Sequence, residues 1–182
     1  MIKAVVFDLD DTLYPEIEYV YSGFKAVADY LVNNNTNLNK DATEVFNTLK
    51  AAYKEGGNAF QRGIDKYSIS NKEKELEQMV KIYREHIPQI KPYDDVEETL
   101  KWLKLNGFKL GIISDGDGIR QRVKIKALDI EKFFDQILIT DELGRKEYRK
   151  PNKAAYIEMC NKLNIEAPEM IYVGDNREKD FA

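Results

Sequence analysis

Three short, almost wholly apolar runs constrain this chain more than anything else in it. They are Ile2-Lys3-Ala4-Val5-Val6-Phe7, Lys109-Leu110-Gly111-Ile112-Ile113 and Met170-Ile171-Tyr172-Val173. Continuous apolar runs of this length suit strands of a parallel sheet covered on both faces. Each ends in a small polar cluster: Asp8-Leu9-Asp10, Ser114-Asp115-Gly116 and Gly174-Asp175-Asn176. Gln136-Ile137-Leu138-Ile139-Thr140 is a fourth, weaker run. Helical patterns separate the later runs, over residues 94–105, 117–128 and 152–164. In the first of these, Asp94 and Glu97 have the spacing of a capping box, and Asn106-Gly107 marks the stop. Strand and helix in alternation predict an α/β fold on a mainly parallel sheet.

Residues 16–92 break that rhythm. Ile17, Val20, Tyr21, Phe24, Val27, Ala28 and Leu31 follow helical spacing. An Asn-rich turn at 33–39 follows, then a second helix through Val45, Leu49 and Ala52 that Gly56-Gly57 ends. Ser70 and Glu73 have capping-box spacing ahead of Leu76, Met79, Val80 and Tyr83. With no convincing strand between them, these patterns predict an all-helical insertion at 16–92. The α/β core is then formed by 1–15 and 93–182. His86, the single histidine, falls at the end of the last insertion helix and reads as a surface or hinge residue. Tyr14, Tyr19, Tyr21, Phe24 and Tyr30 read mainly as helix packing, with one or two of them and Arg62 or Lys66 as candidate substrate contacts.

Ligands bind at the carboxyl ends of parallel strands, so the three polar clusters should meet in one crevice. Three carboxylates at 8, 10 and 11 repel one another unless something compensates. Asp8, Asp10 and Asp175 without accompanying His or Cys suit a hard cation, most simply Mg²⁺. Thr12, Ser114 and the amides around Asp115 and Gly116 could donate to phosphoryl oxygens, and Lys150, before Pro151, could add positive charge. Positioning and charge neutralisation are what phosphoryl transfer requires.

These motifs resemble those of the haloacid dehalogenase superfamily of phosphohydrolases, in order along nearly the whole chain. Asp8-Leu9-Asp10-Asp11-Thr12 is similar to D-x-D-x-T. Ser114 follows a strand, Lys150-Pro151 is similar to the third motif, and Gly174-Asp175…Asp180 to G-D-x-x-x-x-D. The resemblance implies a Rossmann-like core with an α-helical cap that closes over the substrate. It implies Asp8 as nucleophile, forming an aspartyl-phosphate, and Asp10 as acid and then base. Asp8, the main-chain carbonyl of Asp10 and Asp175 would hold Mg²⁺, with Asp180 supporting the metal. Thr12, Ser114, Asp115, Gly116 and Lys150 would surround the phosphoryl group, with Lys150 also pairing with Asp8. Gly144 stands farther from Lys150 than the G-x-x-K-P spacing has it. Lys146 is therefore an alternative, with Lys150 favoured because proline follows it. Asp11 is expected to face solvent or cap a turn. An acid at position 10 favours phosphatase over dehalogenase. A phosphomutase or phosphotransferase, and a non-catalytic phosphate-binding module, are the competing readings.

The remaining expectations are mostly exclusions. The chain of 182 residues carries 28 Lys and Arg against 32 Asp and Glu, which advertises no nucleic-acid face. The cationic run Arg120, Arg122, Lys124, Lys126 then reads as a solvated helix face. No apolar run approaches a membrane span, no leader is visible, and the single Cys160 reads as a small core residue, which points to the cytoplasm. The expected partner is a small phosphorylated metabolite, such as a sugar phosphate or nucleotide. Nothing in the sequence sets an oligomeric state. The sequence stops just past Asp180, where family members continue, so the core is expected to lack its last sheet element.

Overall fold

The structure is a computed structural model. It describes residues 1–35, 38, 40–144 and 146–181, with Lys146 described in its backbone only. The chain divides into two compact units, Met1–Glu16 with Ile90–Ala182, and Ile17–Gln89.

The first unit is built on four parallel strands in the order β3-β2-β1-β4. They are β1 (Ala4–Phe7), β2 (Lys109–Ser114), β3 (Gln136–Ile139) and β4 (Met170–Val173). The chain leaves β1 for β2 and β3 on one side, then returns to place β4 on the other. This reversal beside β1 is where an open α/β sheet forms a ligand crevice. Register brings the strand ends level, with Phe7 beside Ile112 on one side and Val173 on the other. The residues just past β1 and β4 therefore emerge together, and Asp8 N donates to Val173 O at 2.8 Å.

Side chains alternate across the sheet with period two. Ala4, Val6, Ile113 and Leu138 pack against Ala155, Met159 and Leu163 of one helix (Ala154–Leu163). Gly111 is needed on this face, because a Cβ there would lie 2.7 Å from Met159 Sδ. Cys160 is buried on the same helix. A helix over Val96–Leu105 buries Val96, Leu100 and Leu103, and a helix over Gly118–Ala127 follows β2. The expected Asp94–Glu97 cap is not the one formed. The cap position falls at Asp95, in helical conformation and without a side-chain cap bond. As one of the two edge strands, β4 leaves Ile171 and Val173 exposed.

The second unit holds four helices among the described residues: α1 (Glu16–Asn34, its first residue belonging to the sheet unit), α2 (Ala42–Lys54), α3 (Ala59–Lys66) and α4 (Lys72–Glu85). Val27, Ala28, Leu31, Val45, Leu49, Ile64 and Met79 form its core. Asp41 and Asn58 cap α2 and α3 through their side chains. The expected Ser70–Glu73 box does not cap α4, which starts after Asn71 in the left-handed region with no side-chain cap bond. Of the Asn-rich turn, Thr36, Asn37 and Asn39 lie outside the described residues. His86 is buried, not superficial. Its ring lies 5.0 Å from that of Tyr19, and Nδ1–H donates to Tyr83 O at 2.8 Å, with burial holding the imidazole below its ordinary pKa. Arg62 pairs with Glu55, and Lys66 donates to Thr48 Oγ1 at 2.8 Å.

Candidate active site

Asp8, Asp10, Asp115, Gly116, Lys150 and Asp175 line one crevice of about 240 Å³, together with Asp11, Glu16, Arg149, Asn176 and Lys179. The ends of β1, β2 and β4 thus converge as the polar clusters imply. Asp8 sits at the bottom, 9% exposed. Its Oδ1 lies 2.9 Å from Lys150 Nζ, and the same ammonium donates to Asp180 Oδ1 at 2.7 Å and to Tyr172 Oη at 2.9 Å. Burial pushes the Asp8 carboxyl up to about 6, against the pull of Lys150. Burial also opposes charge on Lys150, yet Asp8 and Asp180 overcome it and hold the ammonium above its ordinary value. Lys150 is thus paired with Asp8, as expected of the third motif; the Lys146 side chain lies outside the described residues.

Asp180 lies behind the crevice, almost fully buried. Its Oδ2 accepts the Asn176 amide at 2.9 Å, which ties the short helix Arg177–Asp180 back onto the β4 loop. Gly174 is required there, since a Cβ would stand 2.3 Å from Asp180 Oδ2. Asp8, Asp175 and Asp180 can each offer an oxygen with all three within 4.8 Å of one another. An all-carboxylate set fits a hard cation such as Mg²⁺ better than a soft one.

Asp10 faces a different set of partners. Lys124 Nζ donates to its two oxygens at 2.8 and 3.1 Å, Tyr14 Oη at 2.5 Å and Gln121 Nε2 at 2.9 Å. Burial alone would raise the Asp10 carboxyl, but Lys124 and these donors outweigh it and hold the group below its ordinary value. Lys124 is buried, so the reading of residues 120–126 as a solvated face fails at that position. Gln121, Lys124, Ile125 and Leu128 are spaced as one helix face, and all four are buried. That spacing was the signal for Lys124 and Gln121; reading the run by charge alone conceals it. Tyr14, taken as helix packing, is buried beside the same carboxylate.

The other expected residues divide. Asp115 lines the crevice while its Oδ1 accepts from Thr140 Oγ1 at 2.9 Å and Lys150 N at 3.1 Å, clipping three loops together. Ser114 is buried beneath the crevice, its Oγ accepting from Gln121 Nε2 at 2.6 Å. Thr12 lines a separate pocket with Phe7, Leu13, Val96 and Leu100, and its buried Oγ1 has no partner among the described residues. Asp11 is exposed at φ 52° and accepts the Glu16 amide at 2.8 Å, capping a turn.

A buried carboxylate, a second one two residues on, a buried lysine and an acidic cluster thus meet at the switch point of a Rossmann-like parallel sheet. The profile of the haloacid dehalogenase-like hydrolases matches residues 5–182, and the chain belongs to that family as a phosphohydrolase. It is 32% identical to the glyceraldehyde 3-phosphate phosphatase of Methanopyrus kandleri, the match covering 100% of this chain and 78% of that protein. It is 30% identical to the pyrophosphatase PpaX of Halalkalibacterium halodurans, over 96% of this chain and 75% of that one. Among solved structures, a 2-haloacid dehalogenase from Pseudomonas syringae superposes with a TM-score of 0.64 at 21% identity, covering 99% of this chain and 80% of that one. A phosphatase of the family from Thermococcus onnurineus gives 0.59 at 24%, covering 98% and 80%.

Proposed function

We propose that the protein is a Mg²⁺-dependent phosphatase that hydrolyses a small phosphomonoester through an aspartyl-phosphate on Asp8. The observation that carries this is the separation of two carboxylates at the end of β1. Asp8 is buried beside Lys150 in the acidic crevice, and Asp10 is turned to Lys124. In the first step an Asp8 oxygen bonds to phosphorus as the ester oxygen leaves and takes a proton from Asp10. That role requires Asp10, which Lys124 holds as the carboxylate, to leave that ion pair and take up a proton before it meets the leaving oxygen. In the second step Asp10 accepts a proton from water, whose oxygen attacks phosphorus, breaks the acyl-phosphate bond and frees inorganic phosphate. Lys150 favours the ionised form of Asp8 and balances phosphoryl charge, and the amides of Asp115 and Gly116, which line the crevice, would donate to the phosphoryl group. Asp8, Asp175 and the main-chain carbonyl of Asp10 would hold Mg²⁺, with Asp180 in support through Asn176. When bound, the ion supplies charge neutralisation at the phosphoryl oxygens.

The similarity to glyceraldehyde 3-phosphate phosphatases makes a sugar phosphate our first candidate substrate, ahead of a nucleotide. We read the helical unit as the family's cap and the cytoplasm as the protein's location. No described helix is long and apolar enough to cross a membrane. Phosphate release from an aryl phosphate and a metabolite panel, with Mg²⁺ and with chelator, tests the proposal. Release should need Mg²⁺ and fall at least about a thousandfold in Asp8→Asn. Activity surviving that substitution overturns the nucleophile assignment, and isomerised sugar phosphate without free phosphate would indicate a mutase.

A further inference from the structure

The crevice carries charges that no step above uses. Two of its three cations are already committed: Lys150 to Asp8 and Asp180, and Arg149 to Asp141 through bonds of 2.7 and 2.6 Å. The third, Lys179, follows Asp175 and Asn176 on the metal side of the lining. Against them stand Asp8, Asp10, Asp11, Glu16, Asp115 and Asp175. One divalent cation still leaves this lining negative before a phosphoryl dianion enters.

Glu16 is the carboxylate of this set without an assignment. Its backbone amide is fixed by Asp11, whereas its side chain makes no hydrogen bond or ion pair among the described residues. Partial burial raises its carboxyl first and the charge of Asp10 adds to this, Lys124 opposing it ahead of the further push of Asp11 and the pull of Lys179, with the net shift upward. Glu16 therefore shares its electrostatic neighbourhood with Asp10, the group that serves the leaving oxygen. What departs from phosphorus departs toward this side.

We infer that Glu16 is a specificity-determining residue that selects phosphomonoesters of neutral, hydroxyl- or carbonyl-bearing alcohols and rejects leaving groups carrying a second anion. Its free carboxylate accepts hydroxyl donors of a polyol or hydroxy-aldehyde, and repels a carboxylate or second phosphate in the same place. The inference rests on the phosphatase reading and deepens it. It separates the two kinds of reaction named among the relatives, since pyrophosphate is an anion at both ends.

A matched pair tests it: glyceraldehyde 3-phosphate and glycerate 3-phosphate differ only in aldehyde against carboxylate. The unmodified protein should favour the aldehyde by at least about tenfold in kcat/KM, the size expected of one like-charge contact that Lys124 and Lys179 only partly offset. Glu16→Gln should shrink that ratio about five- to tenfold, chiefly through a lower KM for the carboxylate substrate, and Glu16→Asp should keep it. A role confined to starting α1 would lower both substrates together and leave the ratio alone. Equal use of the pair by the unmodified protein, or an unchanged ratio in Glu16→Gln, overturns the inference. Aryl phosphate hydrolysed by the unmodified protein with Mg²⁺ keeps the phosphatase reading intact in either case. Failure to release phosphate from all three compounds would instead overturn that reading, and this one with it.

Discussion

Asp8 and Asp10 stand two residues apart, and each meets a buried lysine, yet their environments push them in opposite directions. Asp8 shares Lys150 with Asp180, so one ammonium serves two carboxylates, and burial dominates. Asp10 is paired with Lys124, with a phenol and an amide besides, and the charged form wins. Both residues lie past the end of β1, where the chain bends away from the strand, and the lysines come from different segments, the loop before Pro151 and the helix after β2. One short motif thus supplies a carboxylate under-compensated by the protein and another fully compensated. The first shares its cation with a second carboxylate, and the second is anchored by a cation of its own.

Removing Lys150 should have the largest effect, because it breaks this difference from the costlier side. Lys150→Met would leave Asp8 and Asp180 buried together without a cation. Loss of one partner from a buried charge cluster costs about 3–5 kcal/mol. Urea unfolding at pH 7 without divalent ions should show a loss of that size. A loss below about 1 kcal/mol would mean that solvent already screens the pair.

The converse change, Asp8→Asn, should stabilise the metal-free protein. The folded carboxyl titrates near 6 against an ordinary value of 3.8. The proton-bound form is therefore favoured by folding, and the stability it contributes is fully present below about 3.8 and lost as pH rises through 6. Replacing the charge with a neutral amide should recover about 1–3 kcal/mol at pH 7 and nothing at pH 3.5. Added Mg²⁺ should raise the melting temperature of the unmodified protein at pH 7 and leave Asp8→Asn nearly unmoved. An equal response in both would remove Asp8 from the metal set.

The sheet, its carboxyl-end crevice and the helical insertion were legible because each rests on a repeating pattern. Apolar runs mark β1, β2 and β4, and spacing of three and four marks α1. The residues at the polar ends were legible too, because register alone carries Asp8 and Asp175 together. What escaped was whatever depends on long-range contact. The two capping boxes satisfy a local rule, but the helices begin elsewhere, where Asp95 and Asn71 adopt conformations no short pattern announces. His86 has polar chemistry but lies among aromatic rings, which a lone histidine in sequence does not reveal. Ser114 has the composition of a phosphate donor, yet Gln121, seven residues on, lies beside it beneath the crevice. Lys124 sits in a run of cations, and only its phase relative to Ile125 and Leu128 distinguishes the buried member from its solvated neighbours.

That buried lysine gives the sharpest remaining contrast with Asp8. The Asp10 side chain is 23% exposed, so water can replace part of what Lys124 provides, and the full penalty of an orphaned charge does not apply. Lys124→Met should cost about 1–2 kcal/mol at pH 7, less than Lys150→Met. The pH dependence should also run opposite to that of Asp8. A carboxyl held below its ordinary value contributes stability present above 3.8 and lost as pH falls through the lower folded value. The cost of Lys124→Met should thus persist from pH 7 to 5 and shrink only in stronger acid, as denaturant titrations across that range would record. If the cost instead disappears between pH 6 and 5, Lys124 is not what holds Asp10 ionised, and the two carboxylates of the motif are less different than their partners make them.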